Sequence, residues 1–376
     1  MKITQLKILQ LGKFYPIGGG VEKVMYELMT GLAGHGVDCD MLCAAVNGGS
    51  STTAVSQHAR LICSRTLFKF AATMISPSMI MTLRKISGRY DIIHVHHPDP
   101  MAALALRLSG YKGKVILHWH SDIIRQKQFL RLYLPLQNWL LKRADVVIGT
   151  SPVYLKNSPY LKDVQHKTAS LPIGVDAMKP DKAITERIRR QYGNRKIIFS
   201  LGRLVHYKGF RYLIDAATYL NDDYVVLIGG TGPLRAELEN QITRLGLRNK
   251  VYLLGRISGA ELPSYYDACR LFCLSSIQKT EAFAIVQIEA MACGKPVVAT
   301  RISQSGVSWV NAHGESGLDV FPESPGELAD AIMKISDDEV VYQSFAHRAR
   351  KRYETYFTKE RMIDNCLEIY NNLWRK

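Results

Sequence analysis

The stretch Arg270-Leu-Phe-Cys-Leu274-Ser-Ser-Ile-Gln-Lys-Thr-Glu281-Ala-Phe-Ala-Ile-Val-Gln-Ile-Glu289-Ala-Met-Ala-Cys293-Gly294-Lys-Pro296-Val-Val-Ala299 contains one complete strand, helix and strand. Its flanking runs, Arg270–Leu274 and Pro296–Ala299, are short and mostly apolar, as strands buried on both faces are. Between them Ala282–Cys293 is helix-compatible, with regular turns expected to begin near Phe283 or Ala284. Gly294 supplies the stop. Glu281 then lies in the loop before the helix and Glu289 on it. Were both on one helix, they would stand about 80° apart around the axis and about 12 Å along it, which excludes a face-to-face acid and base pair.

The same alternation runs the length of the chain. Strand candidates are Leu6–Leu11, Val37–Ala44, Asp91–Val95, Val115–His118 and Asp145–Thr150, then Ile197–Leu201, Tyr224–Ile228, Val251–Leu254, Arg270–Leu274 and Pro296–Ala299. Amphipathic stretches such as Gly20–Ala33, Phe210–Leu220 and Leu234–Leu245 lie between them. Parallel βα units and an α/β class follow. From Leu171 to Lys182 periodicity lapses, and Pro172, Gly174 and Pro180 mark a linker. The expected domains are 1–172, joined by a last helix within 359–376, and 173–358. Two doubly wound domains facing each other place a ligand in the cleft at the carboxyl ends of their strands.

The 376 residues suffice for two cores, and 47% apolar with 22% charged residues reads as soluble and globular. The start, Met1–Gln10, does not resemble a signal peptide. The apolar stretch Phe70–Leu83 is too short to span a bilayer of about 30 Å. Seven cysteines at spacings that form no metal or redox motif read as reduced, mostly buried thiols in a cytoplasmic compartment. The net charge of +16 is uneven. Residues 1–175 hold 21 Lys and Arg against 9 Asp and Glu, and no acidic residue occurs from Met41 to Tyr90. Arg65–Phe70, Arg84-Lys85 and Arg125–Leu134 interleave cations with bulky apolar side chains, as segments docking on an anionic membrane do. A solvated basic face over ordinary core helices has the same composition.

Several groups carry chemistry. Gly12-Lys-Phe-Tyr-Pro-Ile-Gly18-Gly19-Gly20-Val-Glu22 follows the first strand and leads into a helix, where backbone can approach a phosphate. Ser200-Leu-Gly202-Arg203-Leu-Val-His-Tyr-Lys208-Gly209 places two cations in the loop after a strand, suited to a leaving diphosphate. Gly229-Gly230-Thr-Gly232-Pro233 hints at a dinucleotide fingerprint, with Pro233 at a first helical position, but lacks the third glycine. His94, His96 and His97 end one strand, and His118 and His120 another. Alternate residues share a face, so these rings could meet a metal, yet no carboxylate or thiolate completes a familiar set. A polar cleft lining with His120 as the reactive neighbour is the preferred reading.

Together these segments resemble the retaining glycosyltransferases of the GT-B fold, family four, over nearly the whole chain. The match is carried by Glu281-Ala-Phe-Ala-Ile-Val-Gln-Ile-Glu289, the Gly202-Arg203 and Lys208-Gly209 segment, the glycine loop and His120-Ser-Asp122. The resemblance implies two Rossmann-like domains facing across a cleft, a nucleotide-sugar donor, no cofactor and no metal. It implies that Arg203 and Lys208 hold the donor diphosphate, which Gly19 and Gly20 approach, that Glu281 and His120 contact the transferred sugar, and that Glu289 binds the ribose. Ile257 lies where the family binds the base, and Gly202, Gly230 and Ala282, Phe283, Ala284 and Ile285 lie along the donor. His120, Arg203, Lys208 and Glu281 are the catalytic candidates. Ala284 departs from the glycine more common there.

Likeness to polysaccharide mannosyltransferases suggests GDP-mannose as donor and a lipid-linked saccharide as acceptor, with front-face attack by the acceptor. The expected location is the inner face of the cytoplasmic membrane, as a peripheral protein touching anionic lipid through its N-terminal domain. Two other readings stand beside this one. A nucleotide-sugar epimerase on the same fold would need no acceptor. A nucleic-acid-binding protein would account for the charge, but the basic half has no recognition helix or aromatic platform, so no nucleic-acid partner is expected.

Overall fold

Short runs of Val, Ile and Leu pair edge to edge wherever both faces of a strand are covered by helices, and this rule builds both sheets. The computed structural model describes residues 6–70, 73–123 and 127–375. The chain divides into two compact units, Met1–Ile173 with Lys359–Lys376, and Gly174–Thr358.

The first unit carries β1 (Lys7–Tyr15), β2 (Asp38–Ala45), β3 (Ser51–Ser56), β4 (Ala59–Ser64), β5 (Phe68–Phe70), β6 (Thr73–Ile75), β7 (Ile92–His97), β8 (Lys114–Trp119), β9 (Val146–Gly149) and β10 (Thr168–Ser170). Its main sheet runs β10-β9-β8-β7-β1-β2-β4-β3, and β5 with β6 form a separate hairpin. All neighbours in the main sheet are parallel except β3 against β4. Strand order reverses between β1 and β7, which makes that junction the switch point. The C-terminal helix Lys359–Arg375 packs on the helix Gly20–Gly34: a side chain at Gly31 would collide with Ile363, and Lys359 pairs with Glu27. Gln10 Nε2 donates to Tyr370 Oη at 3.1 Å, tying that helix to β1.

The second unit carries β11 (Lys196–Leu201), β12 (Tyr224–Gly229), β13 (Val251–Gly255), β14 (Leu271–Leu274), β15 (Val297–Thr300) and β16 (Gly317–Val320). All are parallel, in the order β13-β12-β11-β14-β15-β16, with the switch point between β11 and β14. Phe199 and Phe272, on those two strands, are fully buried and meet edge to face at 6.0 Å. Each contributes roughly 2–3 kcal/mol by burial.

Some boundaries differ from expectation. β1 continues to Tyr15 through an irregularity between Leu11 and Phe14, where Gly12 and Lys13 take positive φ. The glycine loop therefore starts later than Gly12. The helix from Phe210 stops at Ala216 rather than Leu220, and Thr218 Oγ1 turns back to Asp215 O at 2.7 Å. The helix after Gly232 begins at Arg235, so Pro233 sits in the preceding turn. The expected basic stretch Arg125–Leu134 begins outside the described residues, and Ala71 and Ala72 of Phe70–Leu83 also lie outside them. Among the described residues no helix is long and apolar enough to cross a membrane.

Candidate active site

The second unit gathers its polar side chains at the switch point. The loop leaving β11 crosses that leaving β14 so closely that a side chain at Gly209, φ 63°, would collide with the carbonyl of Ser275. Only glycine permits both the left-handed backbone and this approach. The crossing buries Lys208, on a 3₁₀ turn His206–Lys208, beside Glu281. Lys208 Nζ lies 2.5 Å from Glu281 Oε2, which also accepts a hydrogen bond from Ser276 Oγ at 2.8 Å. The two charged side chains are only 10% and 11% exposed. Burial disfavours the ammonium, but the Glu281 charge, Tyr207 and the Glu281 hydrogen bond together outweigh it and raise the Lys208 pKa. Glu281 itself is fixed at both ends of its peptide, its N–H donating to Gln278 O at 2.9 Å and its carbonyl accepting from Ser305.

After Ala282 and Phe283 the chain reaches Ala284 at φ 61° and ψ 76°, and the helix Ile285–Ala292 begins one residue later. Glu289, on that helix and 7% exposed, accepts a hydrogen bond from Tyr266 Oη at 2.9 Å. Burial, then the Glu289 charge, pushes the Tyr266 pKa well up, so the phenol stays a donor. Gly202 packs on the Lys208 stem, and a side chain at Gly230 would strike the Gly202 carbonyl. Gly232 is likewise pressed against the Leu204 backbone. Gly230 and Gly232 therefore serve the meeting of two loops rather than a dinucleotide fingerprint. Ile257 covers Gly229. Arg203 is exposed.

In the first unit Gly18, Gly19 and Gly20 are exposed, and Gly19 caps the helix Gly20–Gly34. The buried Glu22 carboxylate lies against Gly19, so the helix start already has an anion beside it. At the switch point the histidines form a hydrogen-bonded chain. His120 Nε2 meets His96 Nδ1 at 2.9 Å, His96 Nε2 meets Gln10 Oε1 at 2.8 Å, and Tyr370 Oη joins Gln10 to His94 Nδ1 at 2.7 Å. His118 stacks on His120 at 3.9 Å. Burial holds the pKa of His94, His96 and His120 well below the usual value, with neighbouring rings adding to it, and lowers that of His118 to about 3. The rings are neutral at pH 7. Nitrogens of His94, His96 and His118 lie within 4.8 Å of one another. Both His96 nitrogens are committed to hydrogen bonds, whereas His94 Nε2 and both His118 nitrogens have no partner among the described residues, so His118 packs against the chain without joining it.

Residues 181–352 match the family model described as glycosyl transferases group 1, and residues 18–177 that described as glycosyltransferase family 4. The O-antigen chain mannosyltransferase C of Escherichia coli is 30% identical over 372 residues, covering 98% of this chain and 99% of that one. The chain belongs to glycosyltransferase family 4. The D-rhamnosyltransferase WbpZ of Pseudomonas aeruginosa is 31% identical to this glycosyltransferase over 343 residues, 90% of this chain and 88% of its own. The crystal structure of Anabaena HepE in complex with UDP is 23% identical, with a TM-score of 0.78 over 98% of this chain and 100% of that one. This likeness gives the glycosyltransferase a GT-B fold.

Sequence reading of the glycosyltransferase missed the partners that fix the named residues: Ser276 for Glu281, Tyr266 for Glu289, and Gln10 with Tyr370 for the histidines. Ser276 alone left a signal, because it stands two residues past the end of the switch-point strand β14.

Proposed function

We propose that this glycosyltransferase transfers a hexose, mannose from GDP-mannose, to a lipid-linked saccharide in O-antigen synthesis, with retention and without a metal. The buried Lys208 and Glu281 pair at the switch point of the second unit is the observation that carries the reading. A diphosphate leaving group gains charge as the glycosidic bond breaks, and one well-placed cation lowers such a barrier by about 3 kcal/mol. In this reading Lys208 and Arg203 take that charge, Glu281 binds the sugar, Glu289 the ribose, Ile257 adjoins the base, and Gly202, Gly230 and Ala282–Ile285 line the donor. Gly19 and Gly20 approach the diphosphate and His120 acts on the transferred sugar. The mannose assignment draws support from the O-antigen mannosyltransferase relative; the D-rhamnosyltransferase relative makes a nucleotide-activated D-rhamnose the donor to compare. The enzyme works at the inner face of the cytoplasmic membrane, where the exposed Arg65–Phe70 segment with Arg84 and Lys85 meets anionic lipid.

The test is transfer from GDP-mannose, a nucleotide-activated D-rhamnose and UDP-hexoses to a lipid-linked acceptor, with the product anomer read by NMR. Lys208→Ala and Glu281→Gln are expected to cut turnover by about 10² or more. Turnover of both variants at the wild-type rate sinks the site. Isomerisation of the donor with no acceptor present selects an epimerase instead.

A further inference from the structure

The carboxyl edge of the second unit's sheet holds Lys208 and Glu281, and its amino edge carries a separate row of cations. Lys196 opens β11, Arg270 stands one residue before β14, and Lys295 two residues before β15. Arg270 N donates to Ile197 O at 2.8 Å, and Phe272 pairs in register with Val297. Arg270 and Lys295 therefore hold corresponding positions on adjacent parallel strands, with backbones about 5 Å apart. Together with Arg189 and Arg195 they line a cavity of about 380 Å³. Five cationic side chains face two carboxylates there, Asp337 and Glu339.

Four of these cations have acceptors. Lys196 Nζ pairs with Asp337 at 2.6 Å, and Arg270 Nη2 with Glu339 at 2.7 Å. Arg189 bonds Asp267 O at 3.0 Å, and Arg195 Asn249 O at 2.8 Å. Lys295 differs. The residue is 9% exposed, yet among the described residues its ammonium makes no hydrogen bond or ion pair. The carboxylate of Asp267 feels its charge but is bound by Lys182 at 2.9 Å and Thr185 at 3.1 Å. Arg270, whose guanidinium stacks on the Tyr342 ring at 3.5 Å, also has a buried Nε donor with no acceptor among the described residues. A buried guanidinium Nε without an acceptor is costly, and an anion in the cavity would supply an acceptor to it and to the Lys295 ammonium.

We propose that this cavity binds a small phosphate monoester, anchored by Lys295 and flanked by Arg270 and Lys196. The excess of positive charge selects a multiply charged anion, and the volume takes a phosphate with a small polar body attached. β11 spans six residues between the two edges, about 20 Å, so the site is distinct from the one holding Lys208 and Glu281.

Isothermal titration with glycerol 3-phosphate at matched ionic strength tests it. Saturable binding is expected in the wild-type protein and in Lys208→Ala, weakened at least tenfold in Lys295→Gln and in Lys196→Gln. Lys196→Gln reads the charge alone should Lys295→Gln fold poorly, and circular dichroism checks both variants. Wild-type affinity in Lys295→Gln, no saturable binding in the wild type, or loss of binding in Lys208→Ala overturns the proposal; the last outcome would place the phosphate at the donor site.

Discussion

At the residue scale, Ala284 shows how a departure from family habit acts physically. Its left-handed backbone costs an alanine about 1 kcal/mol that a glycine does not pay. Ala284→Gly relieves this strain but adds about as much unfolded-chain entropy, so the unit's stability should move by less than about 1 kcal/mol. Ala284→Val puts a β-branched side chain into the same conformation and should destabilise by about 2 kcal/mol or more. Urea unfolding of the two variants checks the pair, and an equal effect from both would remove the strain account. Ala284, Glu281 and Lys208 could be singled out from sequence because they sit in short local motifs. Tyr266 could not, since it stands 23 residues before Glu289 and meets it only once the helices carrying the two residues, with β14 between them in the chain, have packed together.

At the element scale, β7 and β8 present stacked histidines to one face of the first sheet. A histidine whose folded pKa is depressed binds its proton more readily in the unfolded chain, so stability is full above about pH 6.5 and falls as pH drops below it. For His118, with a folded pKa near 3, the loss amounts to about 2 kcal/mol by pH 5. Neither His118 ring nitrogen has a hydrogen-bond partner among the described residues. His118→Leu should therefore change stability at pH 7 by no more than about 1.5 kcal/mol and reduce the loss between pH 7 and pH 5 by about 2 kcal/mol. Thermal melts at both pH values decide it; an unchanged pH dependence would assign acid sensitivity elsewhere. The strands themselves were readable because buried parallel strands are continuous apolar runs. β3 was not, as its Ser and Thr side chains face solvent and only pairing with β4 makes it a strand. β16 is four residues long and opens on Gly317, which packs against the Val297 carbonyl, a long-range contact with no local mark.

At the scale of the molecule, the first unit's surplus of cations has a place in the structure. Arg65 and Lys69 are exposed among Leu67, Phe68 and Phe70, which are 60%, 56% and 51% exposed. Ser76 and Ser78 hydroxyls donate to Arg65 O at 2.7 and 2.9 Å, joining this hairpin to the helix Pro77–Ile86 with its exposed Met81, Arg84 and Lys85. Apolar side chains interleaved with cations, in a stretch of sequence without acidic residues, complement an anionic lipid surface. Each cation near such a surface contributes about 1 kcal/mol. Replacing Arg84 and Lys85 by Gln should then weaken sedimentation with phosphatidylglycerol vesicles by about 30-fold, since each 1.4 kcal/mol is tenfold. Phe68→Ser and Phe70→Ser should weaken it further at high salt, where the charge contribution is screened and apolar burial persists. Transfer to a soluble acceptor analogue should stay near the wild-type rate in all of these variants. Vesicle binding unchanged by both pairs of substitutions would return these side chains to an ordinary solvated surface.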